Sequence, residues 1–253
     1  MGLFNGYMKE GKGVNKEDRS PRPVLFFQIY FRKFWNLIVL NMIYVLFCIP
    51  IVTIGPATAG MTKILRNYAR EEHAFVWGDF IETFKKNFKQ AFLYSVVDFL
   101  VSAFLILDFM SIYNVPNRII MVLSMAAILL SFTIWSFMRY YVYPMMITFR
   151  LSFRQLLKNA FIFCWAGFIR NLFLTIFVAL AAFLVLYLVY SFQNVMLLIL
   201  IIFTLWFSFA GLLSNFMVYP LIKKHMIDGF DPETGERIEE EQYEGFEREE
   251  SDS

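Results

Sequence analysis

The sequence predicts an all-α fold, a polytopic membrane bundle of six transmembrane helices with duplicated hairpins and cytoplasmic amphipathic helices. Three observations predict it. Of the 253 residues 58% are hydrophobic and only 17% charged, against about 25% charged in a soluble domain, so too little polar side chain exists to cover a globule and the remaining surface must face lipid. Four apolar runs, 91–113, 119–144, 170–192 and 195–220, each supply the ~20 residues that cross ~30 Å of hydrocarbon. The charges, finally, are segregated: residues 1–222 carry 19 Lys and Arg against 9 Asp and Glu, a net of +10, and residues 223–253 carry 4 against 12, a net of −8.

That segregation divides the chain into three parts: an N-terminal cytoplasmic segment (1–33) with an interfacial helix, a six-helix membrane domain (34–225) and an unstructured acidic cytoplasmic tail (226–253). The stretch VLFFQIYFRKFW, residues 24–35, reads as the interfacial helix, with Arg32 and Lys33 reaching the headgroups. The apolar run 34–65 is too long for one helix and holds Pro50, Gly55 and Pro56 near its middle. Proline lacks the donor that an interior helix position needs, so the run folds back into helices at 34–50 and 55–70. Cationic residues test the choice, because they collect on the cytoplasmic side. With the fold-back, the seven before residue 34, those of 66–90 and those of 145–170 share one side, and only Arg118 lies in the opposite links. Both termini are then cytoplasmic.

Two internal matches suggest duplication. Phe84–Phe92 (FKKNFKQAF) aligns with Phe153–Phe161 (FRQLLKNAF) at an offset of 69, and Val142-Tyr143-Pro144 with Val218-Tyr219-Pro220 at an offset of 76. Phe80, Phe84 and Phe88 recur every four residues with Lys85, Lys86 and Lys89 between them. This suits an amphipathic helix with its rings in the acyl boundary and its ammonium groups on anionic lipid; a helix that docks a partner is the alternative.

Ionisable groups inside a span are functional candidates, which singles out Asp98, Asp108 and Arg139 as weak substrate- or ion-binding candidates. The two acids lie about 80° apart around the axis and about 15 Å along it, close enough to share a proton or cation path. The competing reading pairs each acid with a base at matching depth, Asp98 with Arg139 and Asp108 with Arg118. Asn41, Ser95 and Ser102 are expected to bond neighbouring helices. His73 and His225 are isolated, Cys48 and Cys164 suggest no disulfide, and neither a phosphate-cradling glycine loop nor a dinucleotide fingerprint occurs. No catalytic residue, metal or cofactor is expected, and the basic groups need no nucleic acid to explain them.

The stretch LFCIPIVTIGPATAG, Leu46 to Gly60, preceded by Phe34-Trp35-Asn36-Leu37, resembles the signature of the YesL family, small bacterial membrane proteins of unknown function. Its most specific part is Pro50 to Ala57, with Pro50, Thr53, Gly55 and Pro56 as motif residues; the resemblance continues through Phe84–Phe92 and over 20–225, and Cys48 and Gly60 are small departures. The resemblance implies a multi-pass protein of the bacterial plasma membrane. It also implies an accessory or regulatory role in carbohydrate uptake beside ABC-transporter or sensor subunits, since members tend to be encoded with such components. The Glu-Ala-Ala…Gly coupling loop of permease subunits is absent from the chain, so it is not expected to be the permease itself. A self-sufficient small-solute transporter or channel is the alternative.

Overall fold

The computed structural model describes residues 22–112 and 116–227. These residues are helical, without a strand among them, in the order α1 (Arg22–Arg32), α2 (Phe34–Cys48), a 3-10 turn (Ile51–Thr53), α3 (Ile54–Ala69), α4 (Val76–Lys86), α5 (Phe88–Ser111), α6 (Arg118–Thr148), α7 (Phe153–Ala166), α8 (Phe168–Phe192), α9 (Val195–Ile201), a π turn (Ile202–Trp206) and α10 (Phe207–Met226). The tail beyond Ile227 and the first 21 residues lie outside the described residues.

Four helical stretches are long and apolar enough to cross a membrane, Phe88–Ser111, Arg118–Thr148, Phe168–Ser191 and Leu198–Met226; α1 and α2 together make a fifth only if their 73° bend is ignored. This departs from the six crossings expected above. The two halves of the fold-back form where expected, but α2 has 15 residues and α3 has 16, about 22 and 24 Å of helix against ~30 Å of hydrocarbon.

One joint recurs three times. Helices α1, α4 and α7 each meet the helix that follows at a single residue, Lys33 (φ −104°, ψ 12°), Asn87 (−102°, 9°) and Gly167 (−103°, 16°). At ψ near zero the backbone leaves the helical well while hydrogen bonds to the residues four before and four after persist, at 2.9–3.0 Å. The following residue is Phe in every case, Phe34, Phe88 and Phe168. Burial repeats in the same register: Phe26, Phe80 and Ala160 seven before the elbow, Ile29, Thr83 and Phe163 four before, Leu37, Ala91 and Asn171 four after, and Leu40, Tyr94 and Leu174 seven after. Asn87 thus corresponds to Gly167, an offset of 80, and the offset of 69 read from sequence does not hold. Phe84–Phe92 straddles an elbow whereas Phe153–Phe161 lies within α7.

The long helices pair antiparallel with their return helices: Tyr94 meets Tyr143 while Asp98, a turn further along α5, meets Arg139, a turn earlier on α6. The three return helices end together, with Arg66 of α3 on Thr148 of α6 and Arg70 over the Tyr219 ring of α10. The elbows gather at the same end, where Lys33 stands over the Tyr68 ring.

At the centre lies α3, packed against α2, α4, α5, α6 and α10, with twelve of its sixteen residues buried. Its small residues permit this. A Cβ on Gly55 would stand 2.2 Å from the Ala91 carbonyl oxygen, and one on Gly60 2.9 Å from that of Phe80; without a hydrophobic driving force between helices in lipid, such close backbone approach is the chief source of packing energy. Phe80 is wholly buried and packs on Phe47, as does Phe84. Phe80 and Phe84 therefore face protein, not the acyl boundary as the four-residue spacing suggested, while Phe88, the first residue of α5, is exposed, as are Trp77, Lys85, Lys86 and Lys89.

Candidate functional site

The α5–α6 pair holds an ion pair. Asp98 Oδ1 accepts from Arg139 Nε at 2.7 Å and from Trp135 Nε1 at 2.8 Å. Arg139 also donates from Nη2 to the Ser102 hydroxyl, which donates in turn to the Asp98 backbone carbonyl at 2.6 Å. One carboxylate oxygen takes two donors, and the guanidinium is divided between the carboxylate and the hydroxyl. Such internal pairing offsets much of the cost of charge in an apolar bundle.

Asp108 is not part of this cluster, and the expected pair with Arg118 does not form among the described residues. Both side chains are exposed. Ten residues beyond Asp98, Asp108 has rotated off the stripe that faces α6, and Arg118 opens α6 behind its Asn117 N-cap. The two acids consequently line no common path.

The residues Pro50, Thr53, Gly55 and Pro56 form the tip of the α2–α3 hairpin. The Thr53 hydroxyl lies 2.5 Å from the Phe47 carbonyl and 2.6 Å from that of Pro50, and the Thr53 N–H donates to Pro50 O at 3.0 Å. Neither proline brings an N–H. The tip is apolar and bare: Ile49 is 72% exposed and Ile51 79%. Gly55 seats this tip against Ala91 and Ser95, in the first two turns of α5.

Asn41 is wholly buried and fills the π turn. Its Nδ2 donates to the carbonyls of Ile202 (2.9 Å) and Phe203 (2.7 Å), and its Oδ1 accepts from Ser208 N (2.9 Å). A π turn frees carbonyls from the i−4 ladder, and this one side chain takes two of them. Asn41 thus bonds a neighbouring helix, as expected. On α8, Asn171 is likewise buried, accepting from Tyr141 (2.8 Å) and donating to the Cys164 carbonyl (3.2 Å). Cys48 and Cys164 are free thiols.

Most polar side chains of the bundle gather at the elbow end. Arg32 pairs with Glu71 at 2.9 Å, and Arg70 with Glu72 at 2.6 Å. Between α3 and α4 lies a cavity of about 420 Å³ lined by Lys63, Asn67, Asp79, Thr83 and Lys86 among others. Arg66, counted above as a loop cation, is instead buried, its Nη1 donating to Thr148 of α6. The signal that would have found it is the spacing Lys63, Arg66, Arg70 along α3 and its C-cap, in a stretch otherwise small or apolar except for Asn67.

A helical bundle with lipid-length apolar helices, an internal ion pair and its polar cavity at one end is the architecture of a polytopic membrane protein. Within it, residues 37–109, from α2 to the end of α5, match the family model described as Protein of unknown function, DUF624. No curated protein and no solved structure matches the chain.

Proposed function

We propose that the chain is a non-catalytic accessory or regulatory component of a carbohydrate-uptake system in the bacterial plasma membrane, working through its cytoplasmic face. In this reading the elbow end and both termini are cytoplasmic, α5, α6, α8 and α9–α10 cross, and the α2–α3 hairpin enters from the cytoplasmic side and returns without crossing. The carbohydrate association rests on the YesL resemblance alone; the DUF624 match over 37–109 covers the motif residues and brings no function with it. The assignment of sides rests on the positive-inside rule, since Lys33, Lys63, Lys86, Arg150 and Arg154 all belong to the elbow end.

The observation that carries the accessory reading is where polarity is spent. The charge pair within the spans bonds to its own helix pair, whereas the cavities lie at the elbow end with most of the exposed charges, Asp108 and Arg118 apart. A self-sufficient transporter needs a wet or exchangeable site between its helices; an accessory protein needs a face.

Arm length supports the re-entrant hairpin. From the elbow, α2 runs 15 residues, α5 runs 24 and α8 runs 25, or about 22, 36 and 38 Å. Irregular backbone at membrane depth must have its polar groups satisfied within the protein, and the Thr53 hydroxyl and N–H meet part of that requirement at the Pro50–Thr53 turn.

Two experiments test the proposal. In a chain with Cys48 and Cys164 replaced by Ala, single cysteines at 116 and 194 should react with an impermeant maleimide from outside, and those at 75, 155 and 52 should not. Outside labelling at 52 would restore six crossings, and at 75 it would overturn the sidedness. Purification of the tagged chain from native membranes in mild detergent should recover ABC permease or sensor subunits in stoichiometric amounts. Recovery of the chain alone, together with solute flux in proteoliposomes, would replace the accessory reading with a transporter.

A further inference from the structure

The three elbow units differ in how their cations are balanced. In the first, α1–α3 and the residues just after it, Arg32 pairs with Glu71 at 2.9 Å and Arg70 with Glu72 at 2.6 Å. In the second, α4–α6, Arg139 pairs with Asp98 at 2.7 Å. The third, α7–α10, has no acid with which to do the same, because the sequence from Phe109 to Ile227 contains neither Asp nor Glu. Its cations, with Arg150 just before it, are nonetheless bare: Arg150, Arg154, Lys158, Arg170 and Lys224 are all exposed, and among the described residues no carboxylate pairs with any of them.

The acids missing from the third unit come directly after it. Residues 228–253 hold twelve Asp and Glu against Arg237 and Arg248. Their point of departure lies on α7. The last turn of α10 rests there, with the His225 ring edge-on to Phe163 at 5.9 Å, and Leu221 is so near the α7–α8 elbow that a Cβ on Gly167 would stand 2.9 Å from its Cδ2. The first unit shows such an arrangement already made. Glu71 stands two residues beyond the end of α3 and reaches back to Arg32, on the elbow helix of its own unit. Asp228, the first acid of the segment, stands two residues beyond the end of α10.

We propose that the acidic segment 228–253 docks on the exposed basic face of α7 and the end of α10, and supplies the counter-charges of the third unit. Arg154 and Lys158, four residues apart on α7, share one side of that helix. Single exposed ion pairs are weak and salt-sensitive, but a tethered segment meets its site at an effective concentration on the order of millimolar. Even as a random chain, 26 residues span roughly 28 Å, more than the ~21 Å of the 14-residue α7. Docking needs only that the segment and α7 share one end of the bundle, whichever side of the membrane that end faces. Anionic lipid headgroups are the competing partner for the same charges.

The test uses the full chain in phosphatidylcholine nanodiscs, treated with a water-soluble carbodiimide that joins a lysine amine to a carboxylate in contact with it, and mass spectrometry of the linked peptides. At an ionic strength of about 0.01 M, where charges are felt over ~30 Å, Lys158 should couple to glutamates between Glu236 and Glu250. At about 1 M, where that length falls to ~3 Å, the coupling should drop several-fold. Lys85, Lys86 and Lys89 of the second unit, also exposed, should couple to the segment less than Lys158 does. Tryptic cleavage after Arg237 is the second readout: at low salt it should be several-fold slower in wild type than in Arg150→Gln/Arg154→Gln/Lys158→Gln, and at high salt the rates should converge. Nanodiscs that contain phosphatidylglycerol decide between occupants. Survival of the Lys158 coupling there supports the segment, and its loss assigns the face to headgroups and overturns the proposal. No coupling at Lys158 in phosphatidylcholine, coupling shared equally with the second unit, or cleavage rates unmoved by the triple substitution overturns it as well.

Discussion

Helices α3 and α8 invert the usual relation between hydropathy and burial. α8 is the most apolar of the crossing stretches, with a mean hydropathy of 2.9, and only 6% of that window is buried; Asn171, a polar residue, is one of its few wholly buried positions. α3 carries Lys63, Arg66 and Asn67, is too short to span at 16 residues, and is the core of the molecule. In water an apolar helix seeks the interior. In lipid it has no reason to, since the acyl chains are as apolar as leucine and association is driven by close packing and hydrogen bonds. The helix rich in Gly, Ala and Thr therefore takes the centre, and the helix rich in Leu, Phe and Val faces outward.

The comparison breaks most directly at Gly55. A side chain there would collide with the Ala91 carbonyl and the Ser95 hydroxyl, and backbone cannot yield as a side-chain tip can. Gly55→Val should cost more than about 3 kcal/mol, at or above the upper end of overpacking penalties. Loss of the monodisperse peak in size-exclusion chromatography would report it; a well-folded Gly55→Val would show that α3 is not held as tightly as its burial implies.

Next in size is Asn41→Ala. It strips two carbonyls and one N–H of their partner in a wholly buried position, and each orphaned group costs about 1 kcal/mol or more. A loss of about 3 kcal/mol in denaturant or thermal unfolding is expected. An effect below about 0.5 kcal/mol would mean that the π turn relaxes to a regular helix once Asn41 is gone.

A smaller effect belongs to the half-buried pair. Asp98→Asn and Arg139→Gln should each cost about 1–2 kcal/mol, below the range for breaking a fully buried pair, and the double substitution should cost less than their sum by about 1 kcal/mol. Strict additivity would free Asp98 for another role and revive a proton or cation path through α5.

How far these features can be read in the sequence follows the same inversion. The four crossing helices are plain as apolar runs, because lipid-facing surface is what hydropathy measures. The Asp98–Arg139 pair is legible too, because depth on antiparallel helices can be counted from their ends. Asp108 and Arg118 defeat that method: depth matches but azimuth does not, and azimuth at a helix end depends on packing. The elbows at Lys33, Asn87 and Gly167 share no residue type, only a following Phe and a burial register, so the repeat is a property of backbone and core that an alignment at offset 69 misplaces. Arg66 was hidden because a cation near a helix end is ordinarily a sidedness marker, and only the packing of α3 makes it a buried one.

The smallest effect is expected on the outer face of α8, and its smallness carries the argument. Leu180 is 61% exposed near the middle of α8. Leu180→Ala exchanges contact with acyl chains for contact with acyl chains and should change stability by less than about 0.5 kcal/mol, as surface substitutions do. The companion Leu180→Arg should cost about 3 kcal/mol if the position lies at the centre of the hydrocarbon, which establishes depth independently. A silent alanine with a costly arginine is the signature of a face given to lipid. If Leu180→Ala itself cost more than about 1 kcal/mol in the native membrane but not in the detergent-purified monomer, the outer face of α8 would be covered by another helix in the membrane. The bareness of that helix would then mark an interface, and the contrast with α3 would be one between an internal core and an intermolecular one.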